Sequence, residues 1–192
     1  MLDDKLIERV SAKGRVEYFT QEGVRHREDG PAIIAINGSK YWLQNGKYHR
    51  LDGPAWDLKN GKQIWYKEGK YHRDNGPAWV EPDGTVKYYV NNKLHRLDGP
   101  AAVYSDGRQI WSRHGSYHRK DGPAIVYLNG REEWYRNSKK HRDDGPASIQ
   151  GGKQLWYWHG KCLTPAEYWA KTKDGPNANK IMAYILGSKQ ND

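Results

Sequence analysis

The chain holds one cysteine, one phenylalanine and two methionines in 192 residues. With Cys162 alone, no disulfide can close within the chain, so the composition gives no sign of an oxidising compartment. No apolar run approaches the ~20 residues that a membrane helix needs. Hydrophobic residues make up only 36%, too few for a thick aliphatic core. The net charge of +9 is dispersed, with no run of like charge to mark a nucleic-acid tail, and it implies only a mild attraction to anionic partners. The opening segment, MLDDKLIERVSAKG, is polar and acidic, unlike a secretory leader. Together these absences make a soluble, cytoplasmic chain with no membrane segment the expectation.

What the chain has instead is Trp, Tyr and a period. Nine Trp and fourteen Tyr suit half-buried surfaces, because each ring has an apolar body and a polar tip. His26, His49, His72, His95, His118 and His141 recur every 23 residues, each followed by arginine: Arg27, Arg50, Arg73, Arg96, Arg119 and Arg142. Gly, Pro and Ala follow at offsets four to six. The acid at offset three is Asp29, Asp52, Asp98, Asp121 and Asp144, with Asn75 as the departure. A fixed period of this length means stacked copies of one supersecondary unit.

Each copy reads as a hairpin. A short apolar run such as AIIAI at 32–36 leads to Asn37-Gly38, and the equivalents are Asn60-Gly61, Asp83-Gly84, Asp106-Gly107, Asn129-Gly130 and Gly151-Gly152. These dipeptides predict two-residue type I′ turns. A second run, such as KQIWYKE at 62–68, predicts the return strand. It carries the column Trp42, Trp65, Tyr88, Trp111, Trp134 and Trp156, with flanking residues on the opposite face. The fold class is therefore mostly β: an elongated antiparallel β-hairpin repeat array of six 23-residue units with short helical caps at both ends. At ~10 Å per repeat it would run to about 60 Å. The predicted divisions are a helical cap over 1–13, the array over 14–163 and a second helical cap over 164–192. Leu2, Leu6, Val10 and Gly14 carry the first cap. Thr164-Pro165-Ala166-Glu167 opens the second, and a further helix is predicted over 177–186.

His, Arg and Asp together look catalytic, yet six copies along a rod do not make one site. Equivalent histidines ~10 Å apart cannot share a zinc ion whose Zn–N bonds are ~2.1 Å. The better expectation is structural. Asp fixes the turn, Arg pairs with an Asp, His bridges neighbouring loops through its two nitrogens, and small Ala lets the loop lie close to the Trp column. No catalytic residue, cofactor or metal is expected. His159 and Cys162, where the pattern breaks, could in principle pair as base and nucleophile, but two such residues near one turn are more often packing.

The stretches NGKYHRLDGPA at 45–55 and NGKQIWYKEGKYHR at 60–73 resemble MORN-like repeats, closest to the DGPA-type variant of phage, bacterial and large-virus proteins. The resemblance covers 14–163 and implies a β-hairpin array with interaction or scaffolding roles and no general catalytic motif. It departs from ordinary MORN units in its HRxDGPA loop, so their lipid binding is not carried over. If the chain is phage-encoded, the analogy implies inhibition of a host protein in the host cytoplasm. The expected function is a non-enzymatic scaffold for a macromolecule, a protein first. The expected contact residues are Tyr66, Tyr89, Tyr135 and Tyr157, with Lys62, Lys87 and Arg131. The alternative is nucleic-acid or nucleotide binding by the same basic, Tyr-rich face.

Overall fold

The computed structural model describes residues 6–188. They fall into two compact bodies, one running up to His95 and the other starting at Arg96. The sheet of the N-terminal body runs, neighbour by neighbour, through Ile7–Val10, Val16–Phe19, Ile33–Ile34, Lys40–Tyr41, Trp56–Asp57, Gln63–Ile64, Trp79–Val80 and Val86–Lys87, all antiparallel. That of the C-terminal body runs through Ala102–Val103, Gln109–Ile110, Ile125–Val126, Glu132–Glu133, Ser148–Gln150, Lys153–Trp158 and Lys161–Leu163. Each body is thus the antiparallel hairpin array that the period predicts.

The return run is two strands rather than one. KQIWYKE breaks at Trp65: Gln63–Ile64 stays in the sheet, while Tyr66–Lys67 pairs with Lys70–Tyr71 in a separate ribbon. The break follows from the backbone bonds of Trp65. Its N–H donates to the Ala78 carbonyl at 2.8 Å, and its carbonyl accepts from the His72 N–H at 3.2 Å. One residue thus serves two different neighbours, and the chain turns a corner there. Trp42, Trp111 and Trp134 make the equivalent pair of bonds. The ribbons close on the type I′ turns, with positive φ at both central residues: Asn45-Gly46, Glu68-Gly69, Asn91-Asn92, His114-Gly115 and Asn137-Ser138.

The sheet turns, by contrast, are not type I′ as the dipeptides predict, except at Gly151-Gly152. At Asn37-Gly38 only the glycine has positive φ, and its N–H donates to the Ala35 carbonyl at 2.8 Å. This is a type I turn with a bulge glycine. Asn is there for a different reason: its Oδ1 accepts from the Ser39 N–H at 3.0 Å. Asn60, Asp83, Asp106 and Asn129 do the same two residues on.

Between sheet and ribbons lies a thin core. The motif alanines Ala32, Ala55, Ala78, Ala101, Ala124 and Ala147 are fully buried. In the N-terminal body the rings of Tyr41, Trp56, Tyr48, Tyr66 and Tyr71 follow one another, and Tyr71 meets both Trp79 and Tyr89, at centroid distances of 4.7–5.6 Å. That spacing is favourable for tilted aromatic pairs, which interlock better than stacked faces.

The ends differ from expectation on one side. Ile7–Val10 is a strand paired with Val16–Phe19, not part of a helix, and Leu2 lies outside the described residues. A bare edge of unpaired backbone groups on Val16–Phe19 is better satisfied by a strand, and Gly14 (φ 83°) becomes the bulge glycine of that hairpin. At the other end α1 (Pro165–Thr172) carries the predicted capping box, with Glu167 N–H donating to Thr164 Oγ1 at 3.2 Å and Thr164 N–H to Glu167 Oε2 at 2.8 Å. Together with α2 (Ala178–Ser188), it seals Trp156 and Leu163 under Tyr168 and Ile181. No described helix is long and apolar enough to cross a membrane.

Candidate functional site

The HRxDGPA loops are held by their arginines. Arg50 Nε donates to Asp52 Oδ1 at 2.9 Å, and Nη1 to the Pro54 carbonyl at 3.4 Å. Its guanidinium lies 4.0 Å over the Trp42 ring. The stack repeats for Arg27 on Tyr18 (4.1 Å), Arg73 on Trp65 (3.9 Å), Arg119 on Trp111 (3.9 Å) and Arg142 on Trp134 (4.0 Å). A planar, weakly hydrated guanidinium can stack flat on that face while its edge makes hydrogen bonds, which a lysine ammonium cannot do. The aspartate bond repeats at Asp29, Asp98 and Asp144. In each of these the arginine holds the carboxyl below its usual range; at the half-buried Asp144 it does so with Lys180, against a burial penalty. Glycine is required one residue later because the guanidinium fills the space: a Cβ on Gly53 would sit 2.7 Å from Arg50 Cζ.

In at least four of the six loops histidine ties the loop to the ribbon that follows, while Nδ1 of His118 is buried without a hydrogen-bond partner among the described residues. Nδ1 of His26, His49, His72 and His141 accepts the backbone N–H of Asn45, Glu68, Asn91 and His159, at 3.0–3.3 Å. That leaves the proton on Nε2, which donates to Asp74 at 2.9 Å from His72 and to Asp143 at 2.7 Å from His141. Burial lowers the pKa of His141, against the opposing pull of Asp143. The ring of His159 stacks on His141 at 4.2 Å, while Cys162 lies exposed opposite Tyr157. Among the described residues no group of three metal-binding side chains comes together.

Successive loops leave clefts between them. One of about 540 Å³ lies between the loops of Arg27 and Arg50 and is lined by Trp42. The next, about 440 Å³, lies between the loops of Arg50 and Arg73 and is lined by Trp65 and Lys67. In the C-terminal body a cleft of about 450 Å³ is lined by Arg119, Trp134 and Arg142, with Lys180 of α2. No protein-family model matches this chain, and no curated protein matches it.

The expected contact residues do not form one open face. Tyr66 is buried in the core, 6% exposed, which corrects its place as a surface anchor. It flanks the corner residue Trp65, so it turns inward to the aromatic row. Tyr89, Tyr135 and Tyr157 are half-buried. Tyr135 donates to Glu133 Oε2 at 2.9 Å, and burial raises its phenol pKa. Lys62 pairs with Glu81 at 2.9 Å and lies over Trp79, which Lys87 also faces. Arg131 pairs with the buried Glu133. On the sheet turns Leu128 and Ile36 are exposed; within the loops the open aliphatic positions are at offset two of the motif, Leu51 at 75% exposure and Leu97 at 69%. Their signal was in the sequence: the motif varies there and an aliphatic residue stands in a polar loop.

Proposed function

We propose that the chain is a non-enzymatic repeat scaffold of the MORN-like, HRxDGPA kind that binds a macromolecular partner, a protein, through its loop clefts. The observation that carries this reading is Leu51, left in water on the wall shared by two Trp-lined clefts. Aliphatic and aromatic surface presented in concave form is what a protein partner buries at the centre of an interface. The bonds of the motif support the non-enzymatic half. In several repeats histidine, arginine and aspartate are occupied within their own loop or the next ribbon.

The test is affinity capture from cell extract with wild-type chain and Leu51→Asp, followed by measurement with the purified captured protein. The variant should bind at least about tenfold more weakly, or ~1.4 kcal/mol, with an unchanged melt. Equal binding by the variant removes this face from the interface.

A second reading, nucleic-acid or nucleotide binding, is favoured by the ribbons. Lys47, Lys67, Lys70 and Lys93 of the N-terminal body are exposed on paired ribbon strands. Binding of a labelled single-stranded oligonucleotide that falls by orders of magnitude between roughly 50 and 200 mM salt would support it. A protein interface anchored by Leu51 should change little over that range.

A further inference from the structure

Arg73 is the arginine whose repeat lacks the aspartate. Where Arg27 and Arg50 donate Nε to Asp29 and Asp52 at 2.8 and 2.9 Å, the chain has Asn75. Arg73 keeps its stack on Trp65 at 3.9 Å and its Nη1 bond to the Pro77 carbonyl at 3.2 Å, but among the described residues no carboxylate pairs with it. Asp74 beside it is tied to His72 at 2.9 Å. Arg119 also bonds only the Pro123 carbonyl at 3.3 Å, but its loop retains the aspartate, Asp121. The loop at 72–77 has changed shape as well. Gly76 stands at φ 127°, and none of the other five loop glycines has a positive φ.

We infer that the cleft between the Arg50 and Arg73 loops receives a carboxylate side chain of the protein partner on Arg73, in the place that aspartate fills in the neighbouring loop. This rests on the reading of the loop clefts as a protein-binding face. The geometry favours a carboxylate over other acceptors. One face of the guanidinium is covered by Trp65 and one Nη is committed to Pro77, so only an edge is open. A planar two-oxygen acceptor matches such an edge. The cation is partly withdrawn from water, which lowers its pKa by desolvation. Lys67 lines the same cleft, and Asp52, which also lines it, is already bonded to Arg50. Exposed Leu51 on the rim asks for an apolar residue beside the acid.

The test uses the full chain labelled for arginine Nε–H NMR, titrated with acetyl-Leu-Asp-Leu amide, with its Asn twin and with inorganic phosphate. The Asp peptide should shift the Arg73 Nε–H and leave that of Arg50 in place, and the Asn twin should not shift it. Asn75→Asp restores the aspartate of the neighbouring loops, so it should fold and should weaken the Asp peptide at least tenfold. Equal shifts from both peptides, a stronger response to phosphate, or unchanged binding by Asn75→Asp each overturn the inference. With the captured protein, loss of binding by Leu51→Asp but not by Asn75→Asp overturns the carboxylate and keeps the face. Retention by both overturns the two together.

Discussion

Replacing Gly53 by alanine sets a Cβ against Arg50 Cζ at 2.7 Å, and the guanidinium cannot retreat without leaving Trp42 and Asp52. Gly53→Ala should therefore destabilise by about 1–3 kcal/mol, read from urea unfolding. In an Arg50→Ala background the same change should cost much less, because the clash has gone. Full additivity in that cycle would mean that the glycine serves something other than the arginine. Arg96→Ala should cost about 1–3 kcal/mol through the orphaned carbonyl and lost packing. The roles of aspartate, histidine and alanine were legible, since the motif repeats and each residue has a single chemistry. The stacking of arginine on Trp was not. It depends on the chain turning at Trp65, and nothing in a run such as KQIWYKE marks one Trp as a corner. Tyr66 was misplaced for the same reason, because alternation along an unbroken strand puts it on the outer face.

The turns show what a dipeptide does and does not specify. Asn-Gly at 37–38 and Asn-Gly at 45–46 are the same letters in two turn types. The first has a single positive φ and an Asn side chain bonded to backbone, while the second has both residues left-handed. What separates them is the number of residues between paired strands, which follows from the corner at Trp42. Glu68 stands at φ 52° in a position where three other ribbons have Asn. A β-carbon in that region costs roughly 1 kcal/mol. Glu68→Gly should raise stability by about that amount, measured by thermal melt. An unchanged or lower melting point would mean that the side chain earns its place by a contact of its own. The C-terminal helices were legible because a capping box is a local signal. The N-terminal strand was not, because it exists to satisfy the edge of Val16–Phe19.

Over the whole molecule the resolved shifts of carboxyls and histidine share one sign. The carboxyls of Asp29, Asp52, Asp74, Asp98, Asp143 and Asp144 are lowered, and so is His141. For each, the unfolded chain binds protons more tightly than the folded one, so stability rises with pH. The His141 contribution is complete above its unfolded value near 6.5 and is lost as pH falls from there through the folded value. The carboxyl contributions are lost only below about 4. Denaturant midpoints should therefore be flat between about pH 7 and 9, slip below 6.5 and fall steeply below 4. His141→Gln should remove the first step and leave the second; a profile with no slip below 6.5 would count against the buried histidine. At this scale the period was fully legible. The partner was not, because a sequence that repeats for the sake of its fold says little about what it touches.

One more consequence follows from loops that close on themselves. In a loop such as 49–55 the arginine bonds the aspartate and the proline carbonyl and packs on the glycine, and the residue at offset two stands outside that circuit. It is Glu28, Leu51, Asp74, Leu97, Lys120 and Asp143 in turn. Leucine and lysine there show that the carboxylate seen on His72 and His141 is optional. Where the place holds no bond to histidine, as at Leu51, Leu97 and Lys120, it can mutate without disturbing the frame, so these places behave as an alphabet set in fixed type. Selection can respell the word that a partner reads while the page that carries it stays the same.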